Sequence, residues 1–85
     1  MSTTTGRQRI LQFTIVLEWD EEGQGWAVTV PALPGCFTQG DTREQALANA
    51  QEAIVGHLAA LAKVGHPWRG TEKIEAATVT VTAPR

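Results

Sequence analysis

The chain has 85 residues, enough for one domain. At this size about 60–65% of the unfolded surface is buried, so the core is thin and association between chains is expected. A formal charge of -2 with 42% hydrophobic and 19% charged residues excludes the broad basic field of a nucleic-acid binder. A single cysteine excludes an internal disulfide. The opening residues lack the apolar core of a signal peptide, and no apolar run approaches the roughly 18 residues of a membrane span. The chain therefore reads as soluble and cytoplasmic, with no membrane association.

Residues 1–8 are small, polar and Thr-rich, and read as a flexible leader to one domain over residues 9–85. Residues 9–19 form the clearest strand. Leu11, Phe13, Ile15, Leu17 and Trp19 alternate with Gln12, Thr14 and Glu18, and this period of two puts the odd positions on one core face. Asp20, Glu21, Glu22, Gly23, Gln24 and Gly25 make a charged hairpin loop. In the second strand Trp26, Val28 and Val30 face inward. Pro31 has no N–H to donate and ends it. Leu33 is expected to plug the edge of the core. Pro34-Gly35 makes a turn, with Pro presetting φ and Gly accepting φ > 0. Cys36 opens a short third strand over residues 36–39, and Gly40 ends it.

Asp41-Thr42 starts a helix. Thr42 with Gln45, or Asp41 with Glu44, has the spacing of a capping box. Ala46, Leu47, Ala50, Ala53, Ile54, Leu58, Leu61 and Ala62 recur at three- and four-residue intervals, which predicts an amphipathic helix of about 22 residues. Gly65 suits the position just past its end, and Pro67 prevents continuation. A polar connection over residues 66–73 leads to a predicted fourth strand over residues 74–83. There Ala77, Val79 and Val81 take one face, and Thr78, Thr80 and Thr82 the other.

The order β-β-β-α-β implies an α/β two-layer sandwich, an α+β arrangement in the looser sense. The first three strands form an antiparallel meander, and the helix returns the chain to a parallel fourth strand through a right-handed crossover. The expected sheet is mixed and four-stranded, of order 3-2-1-4. One helix covers one face, giving a partial ribonuclease-H-like fold.

Five pieces then fall in one order: residues 13–18 (FTIVLE), Gly25-Trp26 after the acidic hairpin, residues 31–36 (PALPGC), residues 38–42 (TQGDT), and residues 44–47 (EQAL). This pattern resembles the N-terminal domain of HicB-like antitoxins, over roughly residues 12–82. Pro31, Leu33, Pro34, Gly35, Cys36, Gly40, Asp41 and Thr42 carry the resemblance. It implies neutralisation of a small basic HicA-type toxin, an mRNA-cleaving ribonuclease, by masking its active surface. It also implies assembly as a homodimer or higher homo-oligomer. Many members carry a C-terminal DNA-binding domain. The sequence departs from them at Arg85, so no direct DNA binding is expected of this chain alone.

The residues themselves point to binding rather than catalysis. A two-metal nuclease needs carboxylates that converge on ions about 4 Å apart. Glu18 lies on the face opposite the helix that carries Glu44 and Glu52, and Glu75 opens the fourth strand. No catalytic, cofactor-binding or metal-binding residues are assigned, and no cofactor is expected. A metal-dependent ribonuclease-H-like hydrolase remains an alternative reading, as does a solitary regulatory or structural homo-oligomer with another partner. Cys36 has no nearby base and reads as a small core residue, while His57 and His66 are too widely spaced to form a metal set with it. The partner-binding candidates are Glu18, Asp20, Glu21 and Glu22, whose charge suits a basic RNA-binding toxin, and Trp68, an aromatic anchor in a loop. The bland readings beside these are a solvated turn and a ring folded back over the helix end.

Overall fold

The computed structural model describes residues 10–84. The leader predicted over residues 1–8 and the Arg9 start of the first strand lie outside the described residues. Three strands and one helix follow in order: β1 (Val16–Asp20), β2 (Gly25–Thr29), β3 (Phe37–Gly40) and α1 (Arg43–Lys63). The sheet is antiparallel throughout, with β2 in the middle. In its register Trp19 lies opposite Trp26, and Val28 lies opposite both Leu17 and Thr38.

This register sets the two faces. Leu17, Trp19, Trp26, Val28, Thr38 and Gly40 share the side toward α1, because opposite partners point the same way and alternate residues along a strand do so too. Val28 is fully buried against Ala46 and Ala50, with Ile15, Leu17 and Trp26 around them. The alanines let the helix approach closely. Closest of all is Gly40, where a Cβ would stand 2.4 Å from the Ala46 amide nitrogen.

The seven residues 30–36 close a compact loop between β2 and β3. The Leu33 N–H donates to the Val30 carbonyl, the Cys36 N–H to the Leu33 carbonyl, and the Val30 N–H to the Cys36 carbonyl. Two successive turns bring every third residue inward, and Val30, Leu33 and Cys36 form a second buried cluster with Phe13, Ile54, Leu58 and Trp68 against it. Leu33 is the plug the sequence predicts. Gly35 takes φ +87°, as the Pro-Gly turn requires.

Of the two capping spacings, the helix uses Thr42 with Gln45. Thr42 Oγ1 accepts from the Gln45 N–H at 3.0 Å, and Gln45 Oε1 accepts from the Asp41 N–H at 2.7 Å. The reciprocal bond thus reaches one residue before the cap. At the other end the His66 N–H donates to the Leu61 carbonyl and the Gly65 N–H to the Ala62 carbonyl, a Schellman closure with Gly65 at φ +85°. The Asn49 side chain donates to the Gln39 carbonyl at 2.7 Å and ties the helix to β3.

Two expectations are corrected. The first strand pairs only from Val16, although the sequence pattern starts at residue 9. Val16 faces Thr29, the last residue of β2, and a partner two steps further on would be Pro31, which has no N–H. The fourth strand is absent from the described residues, so the sheet has three strands and its order is that of the 3-2-1 portion alone. Residues 66–84 carry no helix or strand. The helix backbone lies over β3 and β2 and stands clear of β1. Residues 75–84 are exposed at every position. The long dimension is 66 Å and the radius of gyration 16.6 Å, against roughly 12 Å for a compact chain of this length.

Candidate partner-binding surface

The acidic hairpin is a built turn. Trp19 and Trp26 face each other at its base, edge to face, with ring centroids 5.5 Å apart. The Trp19 indole N–H donates to Glu21 Oε2 at 3.1 Å, and Asp20 Oδ1 accepts from the Glu22 N–H at 3.1 Å. The Gln24 side chain donates to the Glu21 carbonyl at 2.7 Å, which holds Gln24 at φ 53°. Gly23 leaves room for the Asp20 carboxylate, whose Oδ2 would lie 2.6 Å from an added Cβ. Asp20, Glu21 and Glu22 are thus exposed on a hydrogen-bonded turn that holds the Asp20 and Glu21 carboxylates.

Glu18 and Asp20 alternate with Leu17 and Trp19 along β1 and lie on the sheet face turned away from the helix. On this face Glu18, Ala27 and Gln39 form one cross-strand row, and Val16, Thr29 and Phe37 form the next. Phe37 is 70% exposed and Val16 41% exposed. The outer face therefore carries an exposed aromatic ring on β3 and the Glu18 and Asp20 carboxylates on β1. Residue pattern did not single out Phe37, because a four-residue strand shows too little alternation to assign a face. Its odd offset from buried Cys36 was the available signal.

Trp68 lies elsewhere. Its ring packs on Phe13 with centroids 5.4 Å apart, against the Val30–Leu33–Cys36 cluster, and it is half-buried. Phe13 to Asp20 is seven residues, or about 23 Å of extended chain, so Trp68 and the acidic hairpin are held at opposite ends of the first strand segment. Glu72, which the sequence did not flag, fixes the same connection. Its carboxylate accepts from both the backbone N–H and the hydroxyl of Thr14.

The motif residues have structural positions. Pro31 follows β2, Pro34 and Gly35 turn the loop, Leu33 and Cys36 are buried, and Gly40, Asp41 and Thr42 join β3 to the helix. Burial pushes the Cys36 thiol pKa upward, which disfavours the nucleophilic thiolate. Among the described residues no group of three or more His, Cys, Asp or Glu side chains is placed to hold a metal ion. A polar recess behind the hairpin, lined by Asp20, Gly23, Trp26, Gln39 and Asp41, holds about 130 Å³, less than half the smallest ligand pockets of roughly 300 Å³. No helix among the described residues is long and apolar enough to cross a membrane.

The described residues form a small α+β domain with an exposed acidic hairpin at one end of its sheet. Comparison with known proteins gives the class. Residues 13–82 match the family model described as HicB-like antitoxin of bacterial toxin-antitoxin system, and the chain belongs to that family. It is similar to UPF0150 protein Ta0767 of Thermoplasma acidophilum, 47% identical over 53 residues that span 62% of this chain and 75% of that protein. It is also similar to Antitoxin HicB 2 of Photorhabdus laumondii, 49% identical over 45 residues, 53% of this chain and 31% of that protein. The match thus spans less than a third of the longer antitoxin. Among solved structures, the N-terminal domain of Burkholderia pseudomallei antitoxin HicB superposes with a TM-score of 0.57 and 37% identity, covering 80% of this chain and 72% of that one.

Proposed function

We propose that the chain is an antitoxin-type protein-binding module that neutralises a small, basic, HicA-type mRNA-cleaving toxin in the cytoplasm by covering its active surface. It performs no chemistry itself. The observation that carries this reading is the exposed, hydrogen-bonded acidic turn of Asp20, Glu21 and Glu22, with Glu18 just before it in β1 and Phe37 exposed on the outer edge of the sheet. An RNA-cleaving enzyme must present cations to phosphate, and a cluster of carboxylates competes for those cations. Charge of this kind steers encounter, and an exposed aromatic ring provides the desolvated anchor that most interfaces contain. The part of Trp68 not packed on Phe13 stays at the surface as a second contact at the far end. The chain works as a homodimer or higher homo-oligomer, which suits a domain with so few fully buried side chains.

The test is co-purification of the tagged chain with the product of a neighbouring reading frame that encodes a small basic protein. A stoichiometric complex that survives moderate salt is expected. Failure of the two purified proteins to associate contradicts the reading.

A further inference from the structure

We propose that the arm of residues 74–84 docks on a second copy of the chain, along the open flank of β1, and that the second copy returns the same contact. The proposal rests on the self-association in the functional reading above and names the surface that brings it about.

The arm has the pattern of a strand without the environment of one. Ala77, Val79 and Val81 alternate with Thr78, Thr80 and Thr82, yet both sets are exposed, Val79 by 83% and Val81 by 78%. An isolated strand does not persist in water, because its amides and apolar face both need a partner. The receiving surface lies on the same molecule. β1 has a strand neighbour on one side only, and a strand edge is a ready template for pairing. In line with it, between the preceding residues 11–15 and the helix, lies a groove of about 370 Å³, lined mainly by Leu11, Phe13, Ile15, Leu47, Ile54 and Leu58. A strand laid there puts Ala77, Val79 and Val81 over the groove. Its threonines then continue the polar outer face of the sheet.

Three observations favour a second copy as the occupant. The arm's own start is fixed, since Glu72 is bonded to Thr14 and Trp68 is packed on Phe13, while residues 75–84 are exposed and none of them lines the groove of their own copy. Residues 76–84 contain no charged side chain and neither does the groove lining, so two copies meet without burying an unpaired charge. Finally, each copy contributes ten exposed arm residues and a receiving surface of nine groove residues besides the β1 edge, about the 20 residues a side of a stable interface.

The experiment uses the full chain. Particle mass is measured by light scattering for the parent and for Val79→Asp/Val81→Asp, whose sites are exposed in a single copy and so leave its fold unchanged. A Leu47→Cys/Val79→Cys variant is treated with a short bismaleimide, with the parent as control for buried Cys36. The expected result is a parent mass of two or more copies, halved or reduced to one copy by the aspartates, and a covalent dimer in the cysteine variant. A parent that is monomeric at all concentrations overturns both the proposal and the self-association beneath it. An associated parent whose mass ignores the aspartates, or that gives no cross-link between copies, overturns the arm contact and leaves self-association standing. A cross-link confined to one chain shows that the arm closes on its own groove, and also overturns the exchange.

Discussion

Gly40 and Gly56 are both followed by helix or lie in it, and the same substitution is expected to have opposite effects at the two. At Gly40 an added Cβ meets the Ala46 amide nitrogen at 2.4 Å, the Ala46 Cα at 2.7 Å and the Gln45 carbonyl carbon at 2.9 Å. All three are backbone atoms, so no rotamer change relieves the overlap. Relief requires the first turn of α1 to lift off β3, which loosens the buried Ala46 contact and strains the Asn49–Gln39 hydrogen bond. Overpacking of this kind costs about 1–3 kcal/mol, and a weakened hydrogen bond adds roughly 1 kcal/mol. A total of about 2–4 kcal/mol corresponds to a fall in Tm of roughly 10–20 °C for a domain of this size. At Gly56 nothing lies within 4 Å of an added Cβ, and the residue sits inside α1. There Gly56→Ala removes backbone freedom from the unfolded chain and gains about 0.5–1 kcal/mol, a rise of a few degrees. Thermal melts followed by far-UV circular dichroism compare the two directly. A Gly40→Ala melt within about 2 °C of the parent would refute the close approach of β3 to the helix start.

Thr42→Ala removes the cap that receives the Gln45 N–H and is expected to cost about 1 kcal/mol in a urea titration, with Thr42→Ser nearly neutral. Cys36 reports on the second core cluster through pH. Its folded pKa is raised above the ordinary value of 9.0 by burial, so the unfolded chain loses its thiol proton first. Stability is therefore undiminished below pH 9 and declines as pH rises from there toward the folded value, and Cys36→Ala removes that decline. A thiol reagent should react with the folded chain far more slowly than with the urea-unfolded one. Reversing Asp20, Glu21 and Glu22 together to Lys is expected to slow association with the basic toxin by roughly tenfold or more at low salt, and by much less at high salt. An on-rate unchanged at both salt concentrations removes electrostatic steering from the account.

The parts of the fold that depend on local chemistry were legible in the sequence. The Thr42 cap, the Pro34-Gly35 turn, the Gly65 terminus and the inward residues of β2 follow from the side chains at those positions and their nearest neighbours along the chain. Leu33 was legible as a plug because it sits between two prolines with nowhere else to pack. What failed depends on partners far away in the chain. The alternation in residues 74–83 states which side chains share a face, but not whether a neighbouring strand and a roof are present. The helix lies toward β3, and that offset follows from Gly40 and from Asn49 reaching the Gln39 carbonyl, contacts that no periodicity reveals. The acidic hairpin was legible as a charged turn. Its rigidity was not, since it comes from the Trp19 indole and the Gln24 amide holding Glu21 from two sides. Trp68 was ambiguous for the same reason: its partner Phe13 lies 55 positions earlier in the numbering. Exposed Phe37 escaped notice because its face is fixed by pairing with Thr29.

The central claim, that this surface neutralises a ribonuclease by covering it, is tested most directly by titrating the purified chain into an RNA-cleavage reaction of the neighbouring small basic toxin. The account predicts that cleavage falls to background near equimolar chain, that the Asp20/Glu21/Glu22→Lys variant requires a clear excess, and that the chain alone leaves RNA intact with Mg²⁺ present. Full cleavage at a large excess of folded chain, or Mg²⁺-dependent cleavage by the chain itself, would contradict it.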